Sequence, residues 1–239
     1  MTRRILCFGD SLTWGWIAVP EGAPTTRFSL SRAWTGVMAL KLGPDYEIVE
    51  EALNARTTSI DDPVDPRLNG SAYLPVALAS HFPLDLVIIM LGTNDTKSYY
   101  RRTSYEIAVG MSKLVCQVLT SAGGLGTVYP APRVLVVAPP PLGPLTDPWL
   151  QEMFDCAREK MLELAKQYRA LAGFMKGRTR KWQAATICPL FLPGPMQAQC
   201  RPTRDSSRGD ASRRRRGPGN WQFGAKAWHP LERTPSRLI

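Results

Sequence analysis

Histidine is nearly absent from this chain. Two stand among 239 residues, His81 and His229, so acid–base chemistry that needs an imidazole near neutral pH has two candidates. Cys-x-x-Cys pairs are absent, which excludes zinc and thiol-redox motifs of that kind. The five cysteines at 7, 116, 156, 188 and 200 read as reduced thiols, with Cys7, Cys116 and Cys156 placed as small hydrophobes inside apolar patterns. No apolar run approaches the length of a bilayer. Only four apolar residues follow Met1-Thr2-Arg3-Arg4 before Gly9, too few for a signal-peptide core. A cytoplasmic protein with no membrane span is expected, and no internal repeat is present.

Charge of one sign is lacking over most of the chain. Residues 1–176 hold 17 Lys+Arg and 17 Asp+Glu, whereas residues 177–239 hold 13 Lys+Arg and 3 Asp+Glu. The net charge of +10 therefore belongs wholly to the last quarter. It excludes nothing and implies nothing about the partner of the first three quarters.

Residues 1–176 alternate between strand and helix signals. Residues 5–8 read as a buried strand, and a helix capped by Ser31 runs through Trp34, Val37, Met38 and Leu40 to Gly43-Pro44. Residues 46–50 form a second strand. Asn69 caps a helix through Tyr73, Leu74 and Leu78. Residues 86–91 are apolar throughout, as in a strand covered on both faces. Ser104 opens a helix carrying Ile107, Met111, Leu114, Val115 and Val118. Residues 134–137 make a fourth strand, ended by Pro139-Pro140-Pro141. One long helix follows, with Leu150, Met153, Met161, Leu164, Tyr168 and Leu171 on a single stripe. Strands separated by helices imply parallel pairing and a three-layer α/β domain.

Two strand ends carry chemistry. Gly9-Asp10-Ser11-Leu12 follows the first strand, and Gly92-Thr93-Asn94-Asp95 follows the third. Both lie at carboxyl ends, where open α/β sheets place their ligand sites. An esterase needs a nucleophilic hydroxyl, a base and donors for an oxyanion. Ser11 suits the first role and Asn94 the third. Asp10 reads as a turn residue behind them, and Asp95 as a cap or turn former.

These two blocks, with Glu50-Glu51-Ala52-Leu53-Asn54-Ala55-Arg56-Thr57-Thr58, Asp61-Asp62-Pro63 and Arg67-Leu68-Asn69-Gly70, resemble the SGNH (GDSL-type) hydrolases, in their bacterial arylesterase/acyltransferase subgroup. The resemblance covers residues 1–176. It implies a flavodoxin-like sheet of order 2-1-3-4-5 with helices on both faces. It also implies Ser11 as nucleophile, with the backbone N–H groups of Ser11 and Ala55 and the side chain of Asn94 as the oxyanion hole. The wider family often has Gly at the position of Ala55; the backbone donor survives that change if alanine tolerates the φ. No cofactor or metal is implied. The substrate is a small ester, with water or an alcohol as acyl acceptor, and a homo-oligomer is compatible. Residues 14–32 are expected to shape the pocket mouth or a subunit contact.

The family's last block, Asp-x-x-His, is missing. Where it and a fifth strand belong, the chain turns to Gly177-Arg178-Thr179-Arg180-Lys181-Trp182. The sheet is therefore expected in order 2-1-3-4, its fifth strand lost or replaced, with residues 184–192 the only material to patch that edge. Residues 177–239 are expected to form an irregular basic tail. So abrupt a change in texture is what a reading-frame slip in a G+C-rich gene produces. His81 ends a helix on the side away from Ser11, a capping position. His229 is the candidate substitute base, with no acidic residue at the family spacing before it. In a serine-hydrolase template, loss of the histidine alone costs about 10⁶ in kcat. Two alternatives to an active esterase follow. One is a catalytically inactive member of the fold. The other is a binder of nucleic acid or anionic surfaces through Arg213-Arg214-Arg215-Arg216, for which nonspecific, salt-sensitive polyanion adhesion is the expectation.

Overall fold

The computed structural model describes residues 2–18 and 25–176, together with the backbone of 182–185. Five parallel strands form one sheet in the order β2-β1-β3-β4-β5. They are β1 (Arg3–Gly9), β2 (Tyr46–Ala52), β3 (Leu86–Met90), β4 (Arg133–Val137) and β5 (Trp182–Ala185). The first four stand as the alternation of apolar runs and helices predicts. The fifth position is filled by a replacement: Trp182 pairs with Val134 and Ala185 with Val137. The remainder of 177–239, including the expectations for Arg213–Arg216 and His229, lies outside the described residues.

Side-chain alternation along the strands sorts the two faces. Leu6, Phe8, Val87, Ile89, Val134 and Val136 pack into the larger core with α3 (Gly70–His81), α4 (Ser104–Leu119) and α6 (Ala157–Lys176). Ile5, Cys7, Ile88, Met90 and Val137 face the other way, against Leu12 of α1 (Ser11–Trp14) and Trp34 and Met38 of α2 (Trp34–Leu42). β2 lies at one edge, and none of its residues is fully buried. Its glutamates are paired: Glu47 with Arg4 at 2.9 Å, Glu50 with Arg27 at 2.8 Å and Glu51 with His81 at 2.7 Å.

Helix ends differ from the sequence expectations in two places, at α2 and after β4. Ser31 does not cap α2; Ser29 and Ser31 pair their hydroxyls, and Ala33 precedes the helix without a side-chain cap. α4 opens at Ser104 as expected, and Thr103 before it forms a reciprocal capping box with Glu106, which satisfies two orphan donors. The long helix after β4 is broken in two. Asp147 caps α5 (Pro148–Met153), and the left-handed backbone of Cys156 (φ 54°) ends its register before α6 begins. Cys7 and Cys116 are free thiols, Cys7 buried and Cys116 exposed.

Candidate active site

Three strand ends converge where the sequence places its chemistry. β1 ends at Gly9, and Ser11 is the first residue of α1. Asp10 caps that helix, its carboxylate accepting the Leu12 N–H at 2.9 Å. First-turn amides such as that of Ser11 have no acceptor within the helix and are free for a ligand. Gly9 is required here because a side chain would collide with Thr13 at 2.0 Å.

β2 ends at Ala52 and leads into the turn that carries Ala55. The turn closes through Arg56 N–H to Leu53 O at 3.1 Å and is tied to β1 by Leu53 N–H to Gly9 O at 3.2 Å. Ala55 adopts φ 67°, the left-handed region. That conformation costs an L-residue about 1–2 kcal/mol, and alanine bears it here.

β3 feeds Gly92 and Thr93 and then a 3₁₀ turn over Asn94–Thr96. Asn94 is 6% exposed. Its side-chain amide donates to Arg56 O at 3.1 Å and, at 3.4 Å, to Asp10 Oδ2. The segments bearing Ser11, Ala55 and Asn94 are thus joined by direct hydrogen bonds.

Two aspartates lie fully buried beneath this junction. Burial pushes the Asp10 carboxyl up to about 7, against the Leu12 N–H that stabilises its charge. Burial raises Asp95 to about 6, opposed by the hydroxyl and amide of Thr58. Asp95 stands in the Asn94–Thr96 turn, and its carboxylate accepts the Thr58 N–H at 3.0 Å and the Thr58 Oγ1 hydroxyl at 2.5 Å. That contact links the loop after β3 to the segment after β2. Burial also lowers the pKa of Lys97. Cys7, next to the site on β1, is held as a thiol by burial, which pushes it up to about 12; it is no competing nucleophile near neutral pH.

Sequence reasoning missed two supports. Arg56 is 3% exposed, and its guanidinium bonds the carbonyls of Gly9 and Glu51. Tyr168 of α6 donates from its hydroxyl to Leu91 O at 3.1 Å. The apolar stripe that predicts α6 gives Tyr168 only a packing role. A buried tyrosine's need for a hydrogen-bond partner is the signal that finds it.

The site does not include His81. The His81 carbonyl accepts from Arg4 near the beginning of β1, whereas Ser11 follows its end; the ring pairs with Glu51. No helix among the described residues is long and apolar enough to cross a membrane.

A family model described as GDSL-like lipase/acylhydrolase matches residues 7–199. Among solved structures, the chain is similar to the native aryl esterase of M. smegmatis, at 63% identity over 77% of this chain and 84% of that one, with a TM-score of 0.73. It is similar to Est24, a carbohydrate acetylesterase from Sinorhizobium meliloti, at 66% identity, the same two coverages and a TM-score of 0.73. A lipolytic G-D-S-L family member from Veillonella parvula, at 14% identity and a TM-score of 0.52 over 78% of each chain, shares the fold. No curated protein matches. Parallel sheet, paired strand-end motifs and these relatives agree: the chain belongs to the GDSL-like lipase/acylhydrolase family and is a carboxylic-ester hydrolase.

Proposed function

We propose that this chain cleaves small esters, acetyl esters first, through an acyl-enzyme on Ser11. The observation that carries the reading is the junction of Ser11, Ala55 and Asn94. Ser11 heads α1 at the carboxyl end of β1, and hydrogen bonds from Arg56 and to Asp10 draw the other two segments against it. The names of the two relatives, an aryl esterase and a carbohydrate acetylesterase, favour a short acyl group.

In this reading the Ser11 Oγ attacks the acyl carbonyl carbon and gives its proton to a base. The carbonyl oxygen becomes an oxyanion, held by the amides of Ser11 and Ala55 and by Asn94. One Asn94 amide hydrogen is committed to Arg56 O. The other makes only the long 3.4 Å contact to Asp10, so it is the one available to the oxyanion. The tetrahedral intermediate collapses, the alcohol or phenol leaves protonated, and water or an acceptor alcohol releases the acyl group. Transfer to an alcohol makes the same site an acyltransferase.

A second reading is an ester-binding member of the fold without turnover. It is favoured by His81, the one histidine among the described residues, whose ring is paired with Glu51. Turnover of p-nitrophenyl acetate by the purified chain separates the two, with Ser11→Ala and His229→Ala as paired variants. Activity lost in Ser11→Ala supports the esterase, and loss in His229→Ala as well makes that histidine its base. Activity equal to that of Ser11→Ala supports the silent binder.

A further inference from the structure

We propose that Arg56 is the positioning residue of this site, the group that aims the oxyanion donors; the inference rests on the esterase reading above. Arg56 touches every segment that the reading requires. Its Nη1 donates to Gly9 O at 3.1 Å, two residues before Ser11, and to Glu51 O at 2.5 Å near the end of β2. Its carbonyl receives the Asn94 amide at 3.1 Å. Its own N–H closes the turn around Ala55 on Leu53 O.

The guanidinium is itself held by aromatic faces. Its Cζ lies 4.3 Å from the Phe8 ring centroid and 5.2 Å from that of Tyr73. Those two rings are nearly parallel, with an interplanar angle of 17°. Among the described residues no carboxylate lies within ion-pair distance of it; carbonyls and ring faces are its direct contacts, and the charges of Glu51 and Asp10 support it from further off. Both carbonyls are bonded by the one nitrogen Nη1; what a lysine ammonium cannot reproduce is the stacking of the planar guanidinium on the rings.

Ala55 explains why such a clamp is needed. Its left-handed backbone is unfavourable for alanine, and relaxation would turn its N–H away from the site. Arg56 follows it directly and bonds on both sides of the turn. Loosening Arg56 therefore releases the Ala55 amide and the Asn94 side chain together. Both donors act on charge that exists only in the transition state, so the loss falls on the chemical step and spares ester binding.

The test uses the full chain as wild type, Ser11→Ala, Arg56→Lys, Arg56→Met and Tyr73→Leu, with folding checked by circular dichroism. The probe is a methylphosphonate ester with a p-nitrophenolate leaving group. The Ser11 Oγ forms a bond to phosphorus, the bond to p-nitrophenolate breaks, and the serine proton passes to the medium. Intact mass gives the rate at saturation and the half-saturating concentration. Two-dimensional ¹⁵N–¹H spectra report the Ala55 amide and the Asn94 side-chain amide without any need for reaction.

Arg56→Met is expected to lower the saturating rate on the order of 100-fold with half-saturation nearly unchanged. Arg56→Lys should retain part of the rate, and both should shift the two donor signals. Tyr73→Leu removes one ring from the guanidinium and should move the same signals in the same direction. It and Arg56→Lys carry the comparison if Arg56→Met does not fold. Wild-type rates with unshifted donor signals in the Arg56 variants overturn the inference. Wild-type labelling no faster than that of Ser11→Ala overturns the esterase reading instead. The spectra then decide Arg56 alone: shifted donor signals support the clamp and unshifted ones overturn it.

Discussion

The Tyr168 hydroxyl occupies the space that a side chain at Gly92 would need: a Cβ there would stand 2.6 Å from it. Gly92 also sits at φ 119°, a conformation closed to most L-residues. Gly92→Ala should therefore cost about 2–4 kcal/mol. Tyr168→Phe, which removes the bond to Leu91 O, should cost about 1–2 kcal/mol. The double variant should lose less than the two single losses combined, because removing the hydroxyl also removes the collision. Urea unfolding of the four proteins measures this, and strict additivity would refute the steric link.

On the proposed mechanism, Asn94→Ala removes one oxyanion donor, and it leaves Arg56 O and Asp10 Oδ2 without this partner. The kcat on p-nitrophenyl acetate is expected to fall about 10²–10³-fold, with KM within a small factor. A rise in KM at unchanged kcat would mean that Asn94 binds substrate and does nothing more for the reacting oxygen.

Asp10 and Asp95 make stability depend on pH in an unusual direction. Burial raises both above the ordinary carboxylate range, Asp10 to about 7 and Asp95 to about 6. The folded chain therefore holds protons that the unfolded chain releases from about pH 4 upward. The contribution is full below that range and declines as pH climbs to about 7. Asp10→Asn removes one titration. Its stability relative to wild type should rise by roughly 2–4 kcal/mol between pH 4.5 and pH 8, read from denaturant midpoints. A difference that stays flat across that interval would contradict the burial argument.

Ala55→Gly relieves the left-handed strain at φ 67°. A gain of about 1 kcal/mol is expected, reduced by glycine's larger unfolded-state entropy. Thermal unfolding checks the gain, and activity should persist because the donor is a backbone amide. A loss of stability would mean that the alanine methyl makes contacts worth more than the strain.

The change in texture at residue 177 predicts a result in the DNA. Translation of the encoding sequence in its other two frames, from about codon 177, should yield a strand followed by Asp-x-x-His. Resequencing the 3′ end would then place that histidine in frame. Two frames without the motif would discard the slip.

Much of this fold is legible in residue order because burial on both faces leaves a plain signature. Residues 86–91 are apolar without interruption, and β3 is found there at the centre of the sheet. Helix ends are less legible. Ser31 and Thr103 are both plausible caps by composition, and only the local backbone decides that Thr103 serves and Ser31 does not. A periodic stripe cannot reveal the break at Cys156, since α5 and α6 both contribute apolar residues to it. At the site, Ser11 and Asn94 stand out because each follows a strand at a sharp turn. Arg56 and Asp95 do not, because a buried charge is recognisable only once its partners from distant segments, Phe8 and Gly9 or Thr58, are beside it.

The glutamates of β2 matter beyond the ion pairs they form. An outer strand offers a row of unpaired backbone groups on which another chain can lay a strand of its own. Along β2, Glu47, Glu50 and Glu51 occupy three of seven positions, each matched by a basic side chain from a different segment of the same molecule. An incoming strand would have to strip water from these pairs or pull them apart. Replacing these glutamates with apolar residues removes this guard, so self-association through this margin should grow while the sheet itself is still intact.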